Sequence, residues 1–249
     1  MASLSMLRLY IFDYGLFQVH ENGRIIGIQG YFLDTPTGEK ILIDAGFPPW
    51  YEEDAEKATQ ADGLDAFGRL LKLTSENFPK AQLATIGYEP KDVTHLVLTH
   101  GDIDHIGRMH EFPDATVVIG KAERAMGRPR YFGGKPRMAW PENASYIEVD
   151  ADTELWPGVT ILLTPGHSPG HLSFLLELDQ KGPVVLAGDA INRAEEIEQD
   201  RFTGAWDEKL VRSSARRLLD ITASKNAWLV YGHDPAQWGT LRKAPEYYD

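Results

Sequence analysis

Residues 95–105 read HLVLTHGDIDH, and this stretch decides both the fold and the chemistry. A short apolar run, typical of a buried β-strand, ends at His100 and is followed by Asp102, Asp104 and His105. Three other apolar runs end in the same way, in Gly166-His167-Ser168, in Gly188-Asp189 and in Gly232-His233. Imidazoles and carboxylates at adjacent strand ends are what a metal site on an α/β scaffold needs. The sequence therefore predicts a metal centre assembled from four strand ends.

The spacing within this stretch favours two metal ions over one. If the backbone were extended, His100, Asp102 and Asp104 would share one face, because side chains alternate along a strand. His105 would then point elsewhere and serve a second ion. A single histidine at a strand end is more often a hydrogen-bonded structural residue, and aspartate after glycine commonly forms a turn. The joint occurrence of so many candidate ligands in a chain with 8 histidines favours the metal site.

Alternating strand-like and helix-like segments predict a mixed α/β fold in one domain, with helices flanking two sheets. Residues 24–35 and 41–46 flank a PTGEK turn and indicate a β-hairpin. The Pro-rich residues 47–60 suggest an exposed loop, and apolar residues at helical spacing predict a helix over 64–73. Asp207 is placed to cap a long amphipathic helix.

Composition excludes several classes of protein. The 249 residues carry a formal net charge of −12, which disfavours nucleic acid or an anionic membrane surface as a partner. There is no cysteine, so metal ions must be held by nitrogen and oxygen ligands. The N-terminus lacks the pattern of a secretory signal, and no apolar stretch reaches the length of a membrane span. We expect a cytoplasmic enzyme.

The four polar strand ends resemble those of the metallo-β-lactamase superfamily, and within it they are most similar to the N-acyl homoserine lactone lactonases. Four motifs carry the resemblance: His100-Gly-Asp102-Ile-Asp104-His105, Thr164-Pro-Gly-His167-Ser-Pro-Gly-His171, Gly188-Asp189 and Tyr231-Gly-His233. The likeness spans almost the whole chain. It implies a four-layer αββα sandwich, with residues 1–249 forming a single hydrolase domain.

The resemblance also implies roles for individual residues. Two sets of metal ligands follow from it: His100, Asp102 and His167 for one ion, and Asp104, His105 and His233 for the other. Asp189 would bridge the two ions, whose shared hydroxide would attack the substrate carbonyl. Asp104 would help to pass the proton to the leaving oxygen. Asp44 would tether a ligand without touching metal, and His171 is expected to be a buried hydrogen-bonded residue.

Two positions depart from the family pattern. The second histidine of the metal-binding motif is replaced by Asp102, a harder oxygen donor that favours iron or manganese more than imidazole does. Zinc remains the expected metal, as two divalent ions. Three residues after the bridging aspartate, the lactonases carry a tyrosine that hydrogen-bonds the lactone, whereas this chain has Asn192 followed by Arg193. Either side chain could supply the missing hydrogen bond.

The predicted function is hydrolysis of a lactone or related cyclic ester, with an N-acyl homoserine lactone (a quorum-quenching activity) as one substrate class. A di-iron redox or oxygen-binding protein is the alternative from a different class, and a thioester or β-lactam hydrolase is an alternative within the superfamily. The expected partner is a small molecule, anionic or acyl-bearing. Whether the chain is a monomer or a homodimer is left open.

A basic segment bears on the substrate. Residues 121–137 carry six basic side chains against one carboxylate, Glu123. A solvated loop with incidental charge is one interpretation. The other is a lid that attracts an anionic substrate between aromatic walls. The candidate wall residues are Trp50, Tyr51, Tyr131, Phe132 and Trp140.

Overall fold

The computed structural model describes residues 6–131 and 137–249, and the strands of these residues form two sheets. The larger sheet contains β1 (Arg8–Val19), β2 (Ile25–Asp34), β3 (Lys40–Ile43), β4 (Gly68–Lys72), β5 (His95–Leu98), β6 (Thr116–Gly120) and β7 (Tyr146–Val149). The smaller sheet contains β8 (Thr153–Trp156), β9 (Val159–Leu163), β10 (Leu172–Leu178), β11 (Gly182–Leu186) and β12 (Trp228–Val230). The spatial orders are β4-β1-β2-β3-β5-β6-β7 and β12-β11-β10-β9-β8.

Strand direction brings the polar strand ends together. The predicted hairpin is confirmed, because β2 and β3 pair antiparallel. Strands β3, β5, β6 and β7 then pair parallel to one another. Because β3 and β5 end side by side, the backbone N–H of Asp44 donates to the carbonyl of Val97 at 2.9 Å. The register therefore sets Asp44 next to the residues that follow β5.

The helices of the described residues are mostly short. Their bounds are α1 (Trp50–Glu53), α2 (Ala55–Asp62), α3 (Pro79–Thr85), α4 (Ile103–Ile106), α5 (Lys121–Arg124), α6 (Ala194–Glu198), α7 (Glu208–Lys225) and α8 (Pro235–Trp238). The predicted cap is confirmed: the Asp207 carboxylate accepts hydrogen bonds from two backbone N–H groups of the first turn of α7. None of the described helices, α7 included, qualifies as a membrane span.

Alternating strand residues divide the core into three layers of side chains. Val97 of β5 and Phe174 of β10 are buried together between the two sheets. Leu96, one residue before Val97, lies in a second cluster on the outer face of the larger sheet. Val211 of α7 packs in a third cluster over the outer face of the smaller sheet, with Leu175. The predicted four-layer αββα sandwich is confirmed.

Two local predictions were wrong. Residues 64–73 form a 3-10 turn (Leu64–Ala66) and then β4, an edge strand that pairs with β1. A Cβ on Gly68 would lie 2.2 Å from the carbonyl oxygen of Gln18, so the close pairing needs glycine. Residues 47–60 contain α1 and most of α2, because Asp54 caps α2 by accepting from the Lys57 N–H. Strand pairing determines the structure of the first segment, and a helix cap determines that of the second. Neither can be recognised from a short apolar pattern.

Candidate metal centre and substrate cleft

The polar residues after β5 adopt a helix rather than an extended strand. The carbonyl of Asp102 accepts hydrogen bonds from the N–H groups of His105 and Ile106, at 3.0 and 3.2 Å, and so starts α4. The prediction that His100, Asp102 and Asp104 share one face of an extended segment was therefore wrong. The helical turn instead brings the ligating atoms of Asp104 and His105 within 4.8 Å of each other, in a set that does not include His100.

The ligating atoms fall into two groups. Group one consists of His100, His167 and Asp189, and group two consists of Asp104, His105 and His233. Within each group the atoms lie within 4.8 Å of one another. Both groups draw residues from both sheets, since the segment after β5 supplies residues of each group and the segments after β9, β11 and β12 supply the others.

Asp189 belongs to group one and also turns its second carboxylate oxygen toward group two. Its Oδ2 is 3.5 Å from Nε2 of His167 in group one. Its Oδ1 is 3.4 Å from Nε2 of His233 and 3.6 Å from Nε2 of His105 in group two. One carboxylate thus serves both groups, as a bridging ligand must.

Asp102 is close to group one without belonging to the set of mutually close atoms. Its Oδ2 lies 3.3 Å from Nε2 of His100 and 3.0 Å from Nε2 of His167. Burial opposes the charge of Asp102, but the two imidazoles outweigh it and hold the pKa of the carboxyl well below its usual range. An ionised oxygen donor is therefore present where the family has imidazole.

Hydrogen bonds at Nδ1, on the side of the ring that faces away from the centre, orient three of the four imidazoles. Nδ1 of His105 lies 2.8 Å from the Asp44 carboxylate, and Nδ1 of His233 lies 2.9 Å from the carbonyl of Gly27. Nδ1 of His100 lies 3.0 Å from the Thr99 hydroxyl, which itself donates to Asp44. With Nδ1–H donated outward, each Nε2 faces the centre, and loss of its proton leaves the tautomer that a metal ligand needs.

The donor set fits a pair of divalent metal ions. Nε2 of His100, Nε2 of His105 and Oδ1 of Asp189 are buried and have no hydrogen-bond partner. Burial opposes protonation of His105, but the surrounding carboxylates outweigh it and hold its pKa well above its usual range, so the cluster attracts positive charge. Ligand atoms about 2.1 Å from a tetrahedral ion lie roughly 3.4 Å apart, close to the separations around Asp189.

His171 supports the centre from the smaller sheet. Its Nε2 accepts from the backbone N–H of Asp189 at 3.0 Å, and its Nδ1 lies 2.9 Å from the Thr164 hydroxyl. Burial lowers the pKa of His171 well below its usual range, so the ring stays neutral with its proton on Nδ1. The expected buried, hydrogen-bonded role is what the structure places here, and the bond fixes the backbone of the shared carboxylate.

The remaining histidines lie away from the centre. His20 and His110 are exposed, and the His95 ring packs edge-on against Trp156. None of them lines the cleft.

An open cleft leads to the two groups. Its floor includes Asp102, Asp104, His167, Asp189 and His233. One wall is apolar, and it is built from Phe17, Ile26, Ile28, Phe47, Leu64, Phe67 and Ile103. The polar residues of its lining include Asn192, Arg193 and Glu196. The cleft thus offers a reactive floor beside a surface for an apolar substituent.

The sequence pattern of the metallo-beta-lactamase superfamily matches residues 27–233, which include every ligating residue above. The chain belongs to this superfamily. It is 33% identical over 220 residues to an N-acyl homoserine lactonase of Bacillus cereus, covering 87% of this chain and 85% of that protein. It is also 33% identical over 183 residues to the N-acyl homoserine lactonase AttM of Agrobacterium fabrum, covering 67% and 68% of the two chains.

Solved structures of this superfamily agree with the fold. An N-acyl homoserine lactone hydrolase with the product N-hexanoyl-L-homoserine bound at its catalytic metal centre superposes with a TM-score of 0.83. It is 27% identical, and the alignment covers 98% of this chain and 99% of that one. Bacillus thuringiensis AiiA, in a variant with N-decanoyl-L-homoserine bound at the active site, gives a TM-score of 0.84 at 27% identity, covering 98% and 99% of the two chains.

The two residues predicted to replace the lactonase tyrosine both line the cleft. The Asn192 backbone N–H donates to Glu196 at 2.8 Å, while its Oδ1 is buried without a hydrogen-bond partner. Arg193 lies 3.2 Å from Glu195 and 3.7 Å from Glu196. Asn192 therefore keeps free hydrogen-bonding capacity beside the floor, whereas Arg193 is already neutralised.

The described part of the basic segment is not a lid over this superfamily cleft. Lys121 pairs with Asp150 at 3.0 Å, and Arg137 pairs with Asp62 at 2.7 Å. The cleft lining contains no described residue of 121–137. Tyr51, Tyr131 and Trp140 are buried, and Trp50 donates to Asp62. The lid hypothesis is therefore wrong for these residues, and Phe132 and Lys135 lie outside the described ranges.

Sequence reasoning missed the role of Glu123. This side chain is fully buried, and its Oε1 accepts from the Gly101 N–H at 2.9 Å. Its Oε2 accepts from the Ser168 hydroxyl at 2.7 Å and from the Gly170 N–H at 3.0 Å. One carboxylate therefore ties together the loops that carry His100 and His167. The sole sequence signal was a lone carboxylate among basic residues.

Proposed function

We propose that this protein is a metal-dependent lactonase that opens the ring of N-acyl homoserine lactones or closely related lactones. The observation that carries the proposal is the pair of ligand groups sharing Asp189 at the floor of a cleft with an apolar wall. The activities of the Bacillus and Agrobacterium relatives point to the same substrate class.

The proposed ligands are His100, Asp102, Asp104, His105, His167, Asp189 and His233. Zinc is the proposed metal, because imidazole and carboxylate donors at tetrahedral spacing suit it. Asp102 would complete group one, so that each group has two imidazoles, one carboxylate of its own and one oxygen of Asp189. When bound, two such ions supply Lewis acidity for the ester carbonyl and for the attacking water.

The chain's own residues position the substrate and move the proton. The apolar wall would take the acyl chain, and the Asn192 side-chain N–H₂ would donate a hydrogen bond to a substrate oxygen near the floor. Water gives up a proton as its oxygen bonds to the carbonyl carbon, the ring C–O bond breaks, and the ring oxygen takes up a proton. Asp104 is the proposed carrier, since it lies on the floor and is 18% exposed.

Acid release from a panel of substrates tests the proposal. We expect the zinc-loaded protein to release acid from N-acyl homoserine lactones, followed at constant pH, and to leave a thioester and a β-lactam of similar size largely intact. A preference for the thioester or the β-lactam would overturn the substrate class.

Metal analysis of the purified protein tests the proposed metal and its ligands. Two zinc ions per chain are expected, and Asp102→Ala should lose one of them. Two irons with a visible absorption band would contradict zinc and favour a redox protein. Two zincs retained by Asp102→Ala would remove Asp102 from the ligand set.

A further inference from the structure

Arg24 is the feature of the cleft that the proposed function does not use. It directly precedes β2, and Arg24, Ile26 and Ile28 all line the cleft. Residues two apart along a strand share a face. The guanidinium group therefore lies on the same wall as the apolar side chains, at its outer end.

Arg24 lacks the partners that other cleft side chains have. Its Nε is buried without a hydrogen-bond partner, and within the described ranges no carboxylate lies within 4.0 Å of its side chain. Arg193, the other cleft arginine, is paired with Glu195 and Glu196. A buried donor left unpaired costs free energy, so such a group in a cleft is suited to an acceptor that arrives with a ligand.

We propose that Arg24 forms a subsite for a carbonyl oxygen on the acyl substituent of the substrate. This rests on the proposed lactonase function and narrows its substrate class. A neutral oxygen suits the site better than an anion, because the cleft wall balances the positive Arg24 and Arg193 with the negative Glu21 and Glu196.

Position along β2 fixes which part of the substrate Arg24 can reach. The carbonyl of Gly27 accepts from His233, so residue 27 marks the metal centre. Arg24 lies three residues earlier, roughly 10 Å along the strand. The acceptor therefore sits on the substituent and not on the ring that opens. Lactones with an amide or keto oxygen in the side chain, followed by an apolar tail, fit this wall.

Matched substrates and matched variants test the subsite. The substrates are an N-octanoyl homoserine lactone, its 3-oxo form, and an alkyl lactone of equal length without a side-chain oxygen. The variants are Arg24→Leu, Arg24→Lys and, as a control, Arg69→Leu. Arg69 is exposed, hydrogen-bonds Gln18 and does not line the cleft. Thermal unfolding of each variant shows whether it folds.

For Arg24→Leu we expect KM to rise about tenfold on the acyl-amide lactones and less than twofold on the alkyl lactone. For Arg24→Lys the KM on the acyl-amide lactones should lie between those of Arg24→Leu and the unmodified protein, because a single ammonium group replaces the forked guanidinium group. Arg69→Leu should leave KM unchanged on both the acyl-amide lactones and the alkyl lactone. An equal rise on all three lactones would overturn the proposal, as would a larger rise on a fourth lactone whose side chain ends in a carboxylate.

A binding measurement separates this inference from the proposed function. Calorimetry compares ring-opened N-octanoyl homoserine with a hydroxy acid of equal length that lacks the amide. We expect Arg24→Leu to weaken only the amide-bearing ligand, by about tenfold. If the protein opens no lactone, the proposed function fails and this comparison still decides the subsite. Equal binding by Arg24→Leu and the unmodified protein would reject it.

Discussion

Group one and group two share a carboxylate but are held in place by different means. In group two, His105 is anchored side chain to side chain by Asp44, and His233 by a backbone carbonyl. In group one, the loops that carry the two histidines are clamped by Glu123. Group two therefore depends on the orientation of individual rings, whereas group one depends on the position of whole loops as well as on the hydrogen bond that orients His100. The difference can be tested by substituting the residue that holds each group in place.

The largest effect is expected where the groups meet. Asp189→Ala removes an oxygen from each group, so both ions should be lost and lactone hydrolysis should fall by about 1000-fold or more. Metal content and turnover measure this, with the exposed Asp179→Ala as the control. Retention of one tightly bound ion would show that the groups are less dependent on Asp189 than its geometry indicates.

Removing the anchor of His105 should act mainly on group two. Asp44→Asn keeps a side chain of the same shape but loses the charge that orients His105, so metal affinity should fall 10–100-fold at one of two sites. Stepwise calorimetric titration resolves the two sites. Equal weakening of both would mean that Thr99, which bonds Asp44 and His100, transmits the change to group one.

Removing the Glu123 carboxylate, which ties together the loops of group one, should weaken metal binding mainly in that group. Glu123→Gln puts an amide N–H₂ where carboxylate oxygens accept three hydrogen bonds, and we expect about tenfold weaker binding of one ion. The same titration applies, with the exposed Glu148→Gln as the control. If Glu123→Gln weakened the same site as Asp44→Asn, the contrast between the two groups would be wrong.

The smallest effect is expected outside both groups. Lys121→Ala breaks a surface pair with Asp150 and leaves the cleft untouched. We expect kcat and KM for lactones to change less than twofold. A large rise in KM, suppressed by added salt, would restore the lid interpretation of the basic segment.

The ligand-bearing strand ends could be predicted because each one is a local pattern. An apolar run that stops at His100 or His233 needs no knowledge of the rest of the chain. The direction of the ligands could not be predicted in the same way, because it depends on whether Asp102 starts a helical turn. That choice is made by the burial of Ile103 and Ile106, which is tertiary.

The residues that hold the ligands in place could not be predicted from the sequence, for a related reason. Glu123 has partners at Gly101, Ser168 and Gly170, which only the fold brings together. The edge strand β4 likewise depends on pairing with β1, and its apolar residues alone favoured a helix. Long-range contacts decide both, and a single sequence records no contacts.

The backbone at Asp44 has a cost that the site explains. Its φ is 63°, in the left-handed region, where a residue with a Cβ is disfavoured by roughly 1–2 kcal/mol and glycine is not. Glycine would relieve this backbone cost but would lose the carboxylate that holds His105 and Thr99. The fold thus accepts a less stable turn in exchange for a fixed imidazole. Stabilising substitutions elsewhere in the chain should be easier to find than at this turn.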